Sequence, residues 1–258
     1  MDEMDITWRI IRQTNDIWAR DYMPIQLEDK DFLLYKYYPD YLNNNKFRKY
    51  ITDAHKACNE LGINYTETDI LLDGGNVTPC GDKFVITSKV LMQSENKEHL
   101  LSQLSKELKS EIIVIPWHKI ENSDDVYGHS DGFIHWCGGN KVLMSNHRET
   151  DAKEASEIRK IIESNGFEVT EMLFDKIPDS NQNFDLNWAY VNYLQVGNKI
   201  IMPSLGIAED KYALKYVKDA NPDCIVRQFR MRDIVRLGGG LHCITWNIRI
   251  PDTLLSAE

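Results

Sequence analysis

Five side chains spread along the 258 residues could do chemistry if they met: the thiol of Cys243, the imidazole of His129, and the carboxylates of Asp21, Asp73 and Asp131. A thiol becomes a nucleophile once ionised, an imidazole moves protons near neutral pH, and carboxylates hold cations. Carboxylates do not share a dry pocket without a positive partner. A guanidinium would fill that role. It is planar, permanently charged and rich in donors, and its central carbon is open to a thiolate.

Each residue also has a plainer reading. A cysteine in an apolar stretch is usually inert core. His129 and Asp131 could form a structural pair, or join His135 and His147 around a metal; no metal is expected. His242 adjoins Cys243 on what reads as a strand, so it should face the other way and be structural. Trp18 reads as packing rather than substrate stacking, and Cys58 and Cys137 read as core. Gly238-Gly239-Gly240 is no phosphate loop, since neither Lys-Ser/Thr nor a helix pattern follows it.

The elements that must position these groups form a repeat. Three turns, Gly81-Asp82-Lys83, Gly139-Asn140-Lys141 and Gly197-Asn198-Lys199, are spaced 58 residues apart, and each leads into an apolar strand. Gly and Asn supply the positive φ that tight hairpins need. Asp29-Lys30-Asp31 before Phe32 to Tyr35 is a fourth copy. The preceding strands are expected at Trp18 to Gln26, Asp73 to Thr78, Gly128 to His135 and Ala189 to Val196.

A helical pattern follows each hairpin. The first runs from Phe47 to Leu61 and stops at Gly62, the second holds Leu100 to Leu108, the third Ala155 to Ile162, and the fourth Tyr212 to Val217. A third strand then closes each unit, at Ile63 to Thr68, Ile112 to Ile115, Phe167 to Phe174 and Cys224 to Phe229. A fifth, incomplete unit starts at Gly238 and runs as a strand from Ile244 to Ile250. Ile6 to Ile11 reads as its missing third strand, so the chain closes on itself.

The expected fold is therefore α/β, a closed ring of ββαβ units with pseudo-fivefold symmetry, in one domain over residues 1–258. Corresponding positions of a ring converge on its axis. The unit starts hold Arg20-Asp21, Asp73 to Asn76, Gly128 to Asp131, Asn192 and Gly240 to Cys243, where an ordinary core would have aliphatics.

Composition fits this reading. Thirty basic against forty acidic residues give a net charge of −10, which disfavours nucleic acid and anionic membrane as partners. No apolar run is long enough to span a membrane or to read as a leader. Five cysteines without a close pair suggest a reduced, cytoplasmic setting.

At Asn15 to Asp21, Asp73 to Asn76, Gly128 to Asp131, Ala189 to Tyr193 and Gly238 to Thr245 the chain resembles the guanidino-group-modifying enzymes. The resemblance is strongest to the agmatine deiminases and bacterial-type peptidylarginine deiminases. It implies a five-bladed α/β propeller, the pentein fold. It also implies hydrolysis of a guanidino group to a ureido group and ammonia through a covalent amidino intermediate on cysteine, with no cofactor. Agmatine is the favoured substrate, giving N-carbamoylputrescine for polyamine synthesis. Arginine, peptidyl-arginine, amidine transfer and non-catalytic guanidine binding stay open, as does a homodimer. By resemblance Cys243 is the nucleophile, His129 the acid and base, and Asp21 and Asp131 the guanidinium grip. Asn192 matches a pocket-lining position, and Asp73 falls where the family often has Glu. Trp18, for which stacking beside Asp21 stays open next to packing, and Gly240 are the further substrate-binding candidates. The chain is shorter than typical agmatine deiminases, which implies trimmed substrate-covering loops.

Overall fold

The computed structural model describes residues 4–118, 128–178 and 184–249. A one-turn helix, α1 (Ala19–Tyr22), leads into the hairpin of β1 (Ile25–Glu28) and β2 (Asp31–Lys36). Helix α2 (Ala54–Leu61) then carries the chain to β3 (Thr66–Leu71), which pairs parallel with β2. The second unit has β4 (Thr78–Cys80), β5 (Lys83–Thr87), α3 (Lys97–Glu107) and β6 (Glu111–Ile115). The third has β7 (Ile134–Trp136), β8 (Lys141–Met144), α4 (Ala152–Ser164) and β9 (Glu168–Glu171). The fourth has β10 (Leu194–Val196), β11 (Lys199–Ser204), α5 (Asp210–Ala220) and β12 (Ile225–Arg230), followed by the short α6 (Arg232–Val235). In every unit the hairpin is antiparallel and the third strand parallel, since a helix is long enough to make the crossover.

Local chemistry explains the repeat. Gly81, Gly139 and Gly197 take φ of +67°, +55° and +57° at the hairpin turns. Each helix lays one face on its sheet; on α4 that face is Ala155, Ile158 and Ile162, all fully buried. Asp151 caps α4 by accepting from the backbone N–H of Lys153 and Glu154. Gly62, at φ +70°, stops α2 as the sequence predicts.

Several boundaries differ from the sequence expectation. Helix α2 begins at Ala54, not Phe47, because Asp53 caps it there, while the Asn44 side chain bonds back to the backbone of Lys46 and Phe47. Strand β3 starts later than Ile63, and β9 ends before Phe174. The first strand of each unit is shorter than expected, because a helical turn precedes it: α1, Gly74–Asn76, Ser130–Gly132 and Phe184–Tyr190.

Among the described residues there are four three-stranded sheets and no fifth. Neither residues 6–11 nor 244–249 are strands, and Ile250 lies outside the described residues. Both segments instead join the fourth sheet to the first unit. Ile6 is buried in the cluster that holds Ile200, Ile201 and Val226, and the Arg12 and Gln13 N–H groups donate to Glu60 on α2. At the other end, Asn247 donates to the Gln195 carbonyl, and the Gln26 amide bonds both backbone groups of Arg249. Trp246 packs on Phe32 with ring centroids 5.8 Å apart and donates to the Pro24 carbonyl.

Candidate active site

The helical turns that shorten the first strands carry the polar residues, and they meet. Asp21 sits on α1, where its Oδ1 accepts from the Gly75 N–H at 3.1 Å and its Oδ2 from the Tyr41 hydroxyl at 3.0 Å. The Tyr35 hydroxyl donates to the Asp21 carbonyl at 2.7 Å. His129 is placed by a staple between units. Asn76 Oδ1 accepts from the Thr87 and Ser130 N–H groups, and the Thr87 hydroxyl donates to the Gly128 carbonyl. The His129 ring then lies with Nε2 3.1 Å from Asp73 Oδ2 and Nδ1 3.6 Å from Asp21 Oδ1.

Cys243 is fixed by Asn192, which is fully buried. Asn192 Oδ1 accepts from the N–H groups of His242 and Cys243 and lies 3.4 Å from Cys243 Sγ, while Nδ2 donates to the Asp131 carbonyl. Asp131 Oδ2 is 3.7 Å from Cys243 Sγ and accepts from His242 Nδ1 at 2.7 Å. Asp21, His129, Asp131 and Cys243 are 4%, 8%, 4% and 7% exposed, so their charges interact with little solvent between them.

The glycines of the motifs mark close approaches. A Cβ on Gly75 would stand 2.8 Å from Asp21 Oδ1, 2.9 Å from His129 Nδ1 and 3.3 Å from Asp131 Oδ2. Three groups from two units, the first and the third, therefore face one backbone position of the second. A Cβ on Gly240 would strike Asn192 Oδ1 at 2.4 Å, and one on Gly239 the Trp18 ring at 2.1 Å. Trp18 is thus packing for the glycine segment, and Gly240 is the gap that admits Asn192.

Burial sets the protonation pattern. It pushes the Asp21 carboxyl up to about 7, with His129 opposing and Asp73 and Asp131 adding. For His129 burial disfavours the charge, yet Asp21, Asp73 and Asp131 together raise it to about 9. Burial also works against the Asp131 carboxylate, but the His242 hydrogen bond and the charges of His129 and Arg20 hold it below its usual range. His242 is itself pushed down by burial and by Arg20, so the neutral ring donates from Nδ1. Burial, Asp131 and Asp21 keep the Cys243 thiol well above its ordinary value. These charges together leave a thiol, an imidazolium and at least one carboxylate in the site.

Two expectations need correction. His129 and Asp131 are not on one strand; Asp131 lies within the Ser130–Gly132 turn that His129 precedes, where the Ser130 hydroxyl donates to the Val85 carbonyl and meets Thr78. His242 does not face away. Residues 241–244 form a turn rather than a strand, so alternation does not apply and its ring reaches Asp131. Spacing also missed Tyr41, for which the tyrosine-rich run from Tyr35 to Tyr41 was the only signal. His135 stacks on Tyr193 with centroids 3.7 Å apart, and His147 bonds Glu154, so neither joins His129. Among the described residues no group of three or more His, Cys, Asp and Glu side chains is arranged to hold a metal.

The sequence profile of the Porphyromonas-type peptidyl-arginine deiminases matches residues 4–248. The chain belongs to this family. Similar to it is a "Putative agmatine deiminase" of Mycoplasma capricolum, 26% identical over 94% of this chain and 77% of that protein. The solved structure of C. jejuni agmatine deiminase superposes with a TM-score of 0.72 at 21% identity, covering 91% of this chain and 74% of that one. Agmatine deiminase of Enterococcus faecalis gives 0.70 at 17% identity, covering 90% and 74%. At these identities the two structures speak for a shared fold. In this member of the peptidyl-arginine deiminase family, the motifs behind the resemblance thus end at one place, around Gly75 and Asn192.

Proposed function

We propose that the chain is a deiminase that hydrolyses a small guanidinium compound to a ureido product and ammonia, with Cys243 as nucleophile. The observation that carries this reading is the meeting of the His129 imidazolium with the Asp21 and Asp131 carboxylates on the face of Gly75, with the Cys243 thiol 3.7 Å from that same Asp131 carboxylate. Agmatine is the favoured substrate, because similar curated and solved proteins bear that name. Arginine and peptidyl-arginine share the reacting group. We also propose a single domain closed as a five-bladed ring, in which the two terminal segments fill the fifth place. The setting is cytoplasmic, consistent with five unpaired cysteines. Among the described residues no helix is long and apolar enough to cross a membrane.

The reaction follows from the charges. The incoming guanidinium parts Asp21 from His129 and is gripped by Asp21 and Asp131. Its positive charge cancels the field that keeps the proton on Cys243, so the thiol gives that proton to solvent as the substrate enters and the thiolate forms. Sulfur bonds to the central carbon. His129, held positive by Asp73 on Nε2, gives a proton to one amino group, the C–N bond breaks and ammonia leaves. The amidino group stays on sulfur. Water then loses a proton to His129 and bonds to the same carbon, and the C–S bond breaks to return the thiolate. Trp18 packs the glycine segment, Asn192 and Gly240 place Cys243, and Asp73 orients the imidazole.

The test is ammonia release from agmatine, arginine, arginine peptides and other guanidines, with added amines to detect amidine transfer. Cys243→Ala is expected to abolish turnover and keep guanidine binding. Wild-type rates in that variant would overturn the nucleophile assignment.

A further inference from the structure

We propose that His242 is a positioning residue for this reaction, holding the Asp131 carboxylate against Cys243 through its Nδ1–H. The inference rests on the deiminase reading above and adds a residue that reading leaves unused. One oxygen, Asp131 Oδ2, lies 2.7 Å from His242 Nδ1 and 3.7 Å from Cys243 Sγ. Both ends of that bond are anchored to the same amide. The His242 N–H donates to Asn192 Oδ1 at 3.1 Å, and Asn192 Nδ2 donates to the Asp131 carbonyl at 3.2 Å. Imidazole and carboxylate thus meet with little freedom left to either, so the donor fixes where the oxygen points.

The surroundings keep this donor neutral. Arg20 donates from Nε to the His242 carbonyl and disfavours a second positive charge beside it. Across the ring stands His135, edge-on with centroids 6.4 Å apart, itself stacked on Tyr193 and pushed down to about 3 by burial and by His242. The remaining charged groups nearby are Asp131, which accepts the bond, and Asp21 and His129, which meet Asp131 around Gly75. A neutral imidazole with a carboxylate at Nδ1 carries its proton there. Without that proton Asp131 would lose its strongest opposition to burial and drift toward the neutral acid, which cannot grip a cation. His242 therefore acts through Asp131.

Three measurements test this. In the wild type, imidazole 15N shifts should show His242 as the neutral Nδ1–H tautomer at its ordinary value of 6.5 and above, since burial and Arg20 hold its own value lower. In His242→Ala, KM for the productive guanidine should rise about 10- to 100-fold, as expected for losing a hydrogen bond to a charged group, and the acid limb of kcat/KM should move to higher pH. His242→Asn, whose amide can replace Nδ1–H, should restore most of both. An unshifted acid limb and unchanged KM in folded His242→Ala would overturn the proposal, as would an Nε2–H tautomer or an Asn variant as impaired as Ala. Should wild-type protein release no ammonia from any guanidine, the deiminase reading fails instead, and the tautomer still reports on the bond.

Discussion

At the scale of single residues, the site stores its nucleophile as a thiol. Burial together with Asp131 and Asp21 keeps the proton on Cys243. A neutral alkylating agent should therefore react slowly at pH 7.5, while a cationic chloroacetamidine, which supplies its own guanidinium-like charge, should inactivate at least ~10-fold faster. Equal rates, followed by mass spectrometry of the Cys243 adduct, would show that the cation does not assist. His129 and Asp21 also tie stability to pH. Both have folded values above their ordinary ones, about 9 against 6.5 and about 7 against 3.8. The folded state thus binds protons more tightly than the unfolded chain. The Asp21 contribution is complete below about 3.8 and lost as pH rises through about 7; that of His129 is complete below about 6.5 and lost through about 9. Melting temperature of the free protein should fall between pH 6.5 and 9.5, by a loss on the order of 2 kcal/mol, and His129→Asn should flatten that fall. The types of Cys243, His129, Asp21 and Asp131 were legible from their chemistry. Tyr41 and His242 were not, because a hydroxyl and a ring reach these carboxylates through folded turns that no local spacing encodes.

At the scale of elements, the site is built on turns rather than on strands. Residues read as the opening of each first strand coil instead, because Asn76, Ser130 and Thr87 satisfy backbone groups with side chains. The hairpins themselves were legible, since Gly-Asn and Gly-Asp are a strong local signal. The two kinds of glycine should separate on mutation. Gly75→Ala places a methyl against Asp21, His129 and Asp131, and is expected to cut kcat/KM by at least ~100-fold. Gly139→Ala meets nothing within 4 Å but strains a φ of +55°, so it should cost about 1 kcal/mol and leave kcat/KM within about twofold. Steady-state kinetics beside denaturant melts would distinguish them, and comparable activity losses in both would refute the division.

At the scale of the whole molecule, three units were readable from the 58-residue spacing and a fourth from its likeness to them, whereas the strands read for the fifth, at 6–11 and from 244, are not strands among the described residues. A terminal segment with no hairpin partner carries apolar residues for packing, and these look like a strand in sequence; Ile6 is buried without joining any ladder. What holds the ends is side-chain bonding between Gln26 and Arg249, Arg20 and Asn247, and the Trp246 ring. Trp246→Ala is expected to lower stability by about 2 kcal/mol. Its activity should fall further than its folded fraction, because the Arg20 N–H donates to the Cys243 carbonyl along the same seam. Activity tracking the folded fraction would show that the seam does not set the sulfur's position.

The seam also has a consequence for biosynthesis. Translation runs from one end, so all four sheets leave the ribosome before Cys243 does, and the sulfur reaches its place only when residues 242–249 dock on the opening unit. A nascent polypeptide can thus be largely folded and still chemically silent, and its first turnover marks completed assembly.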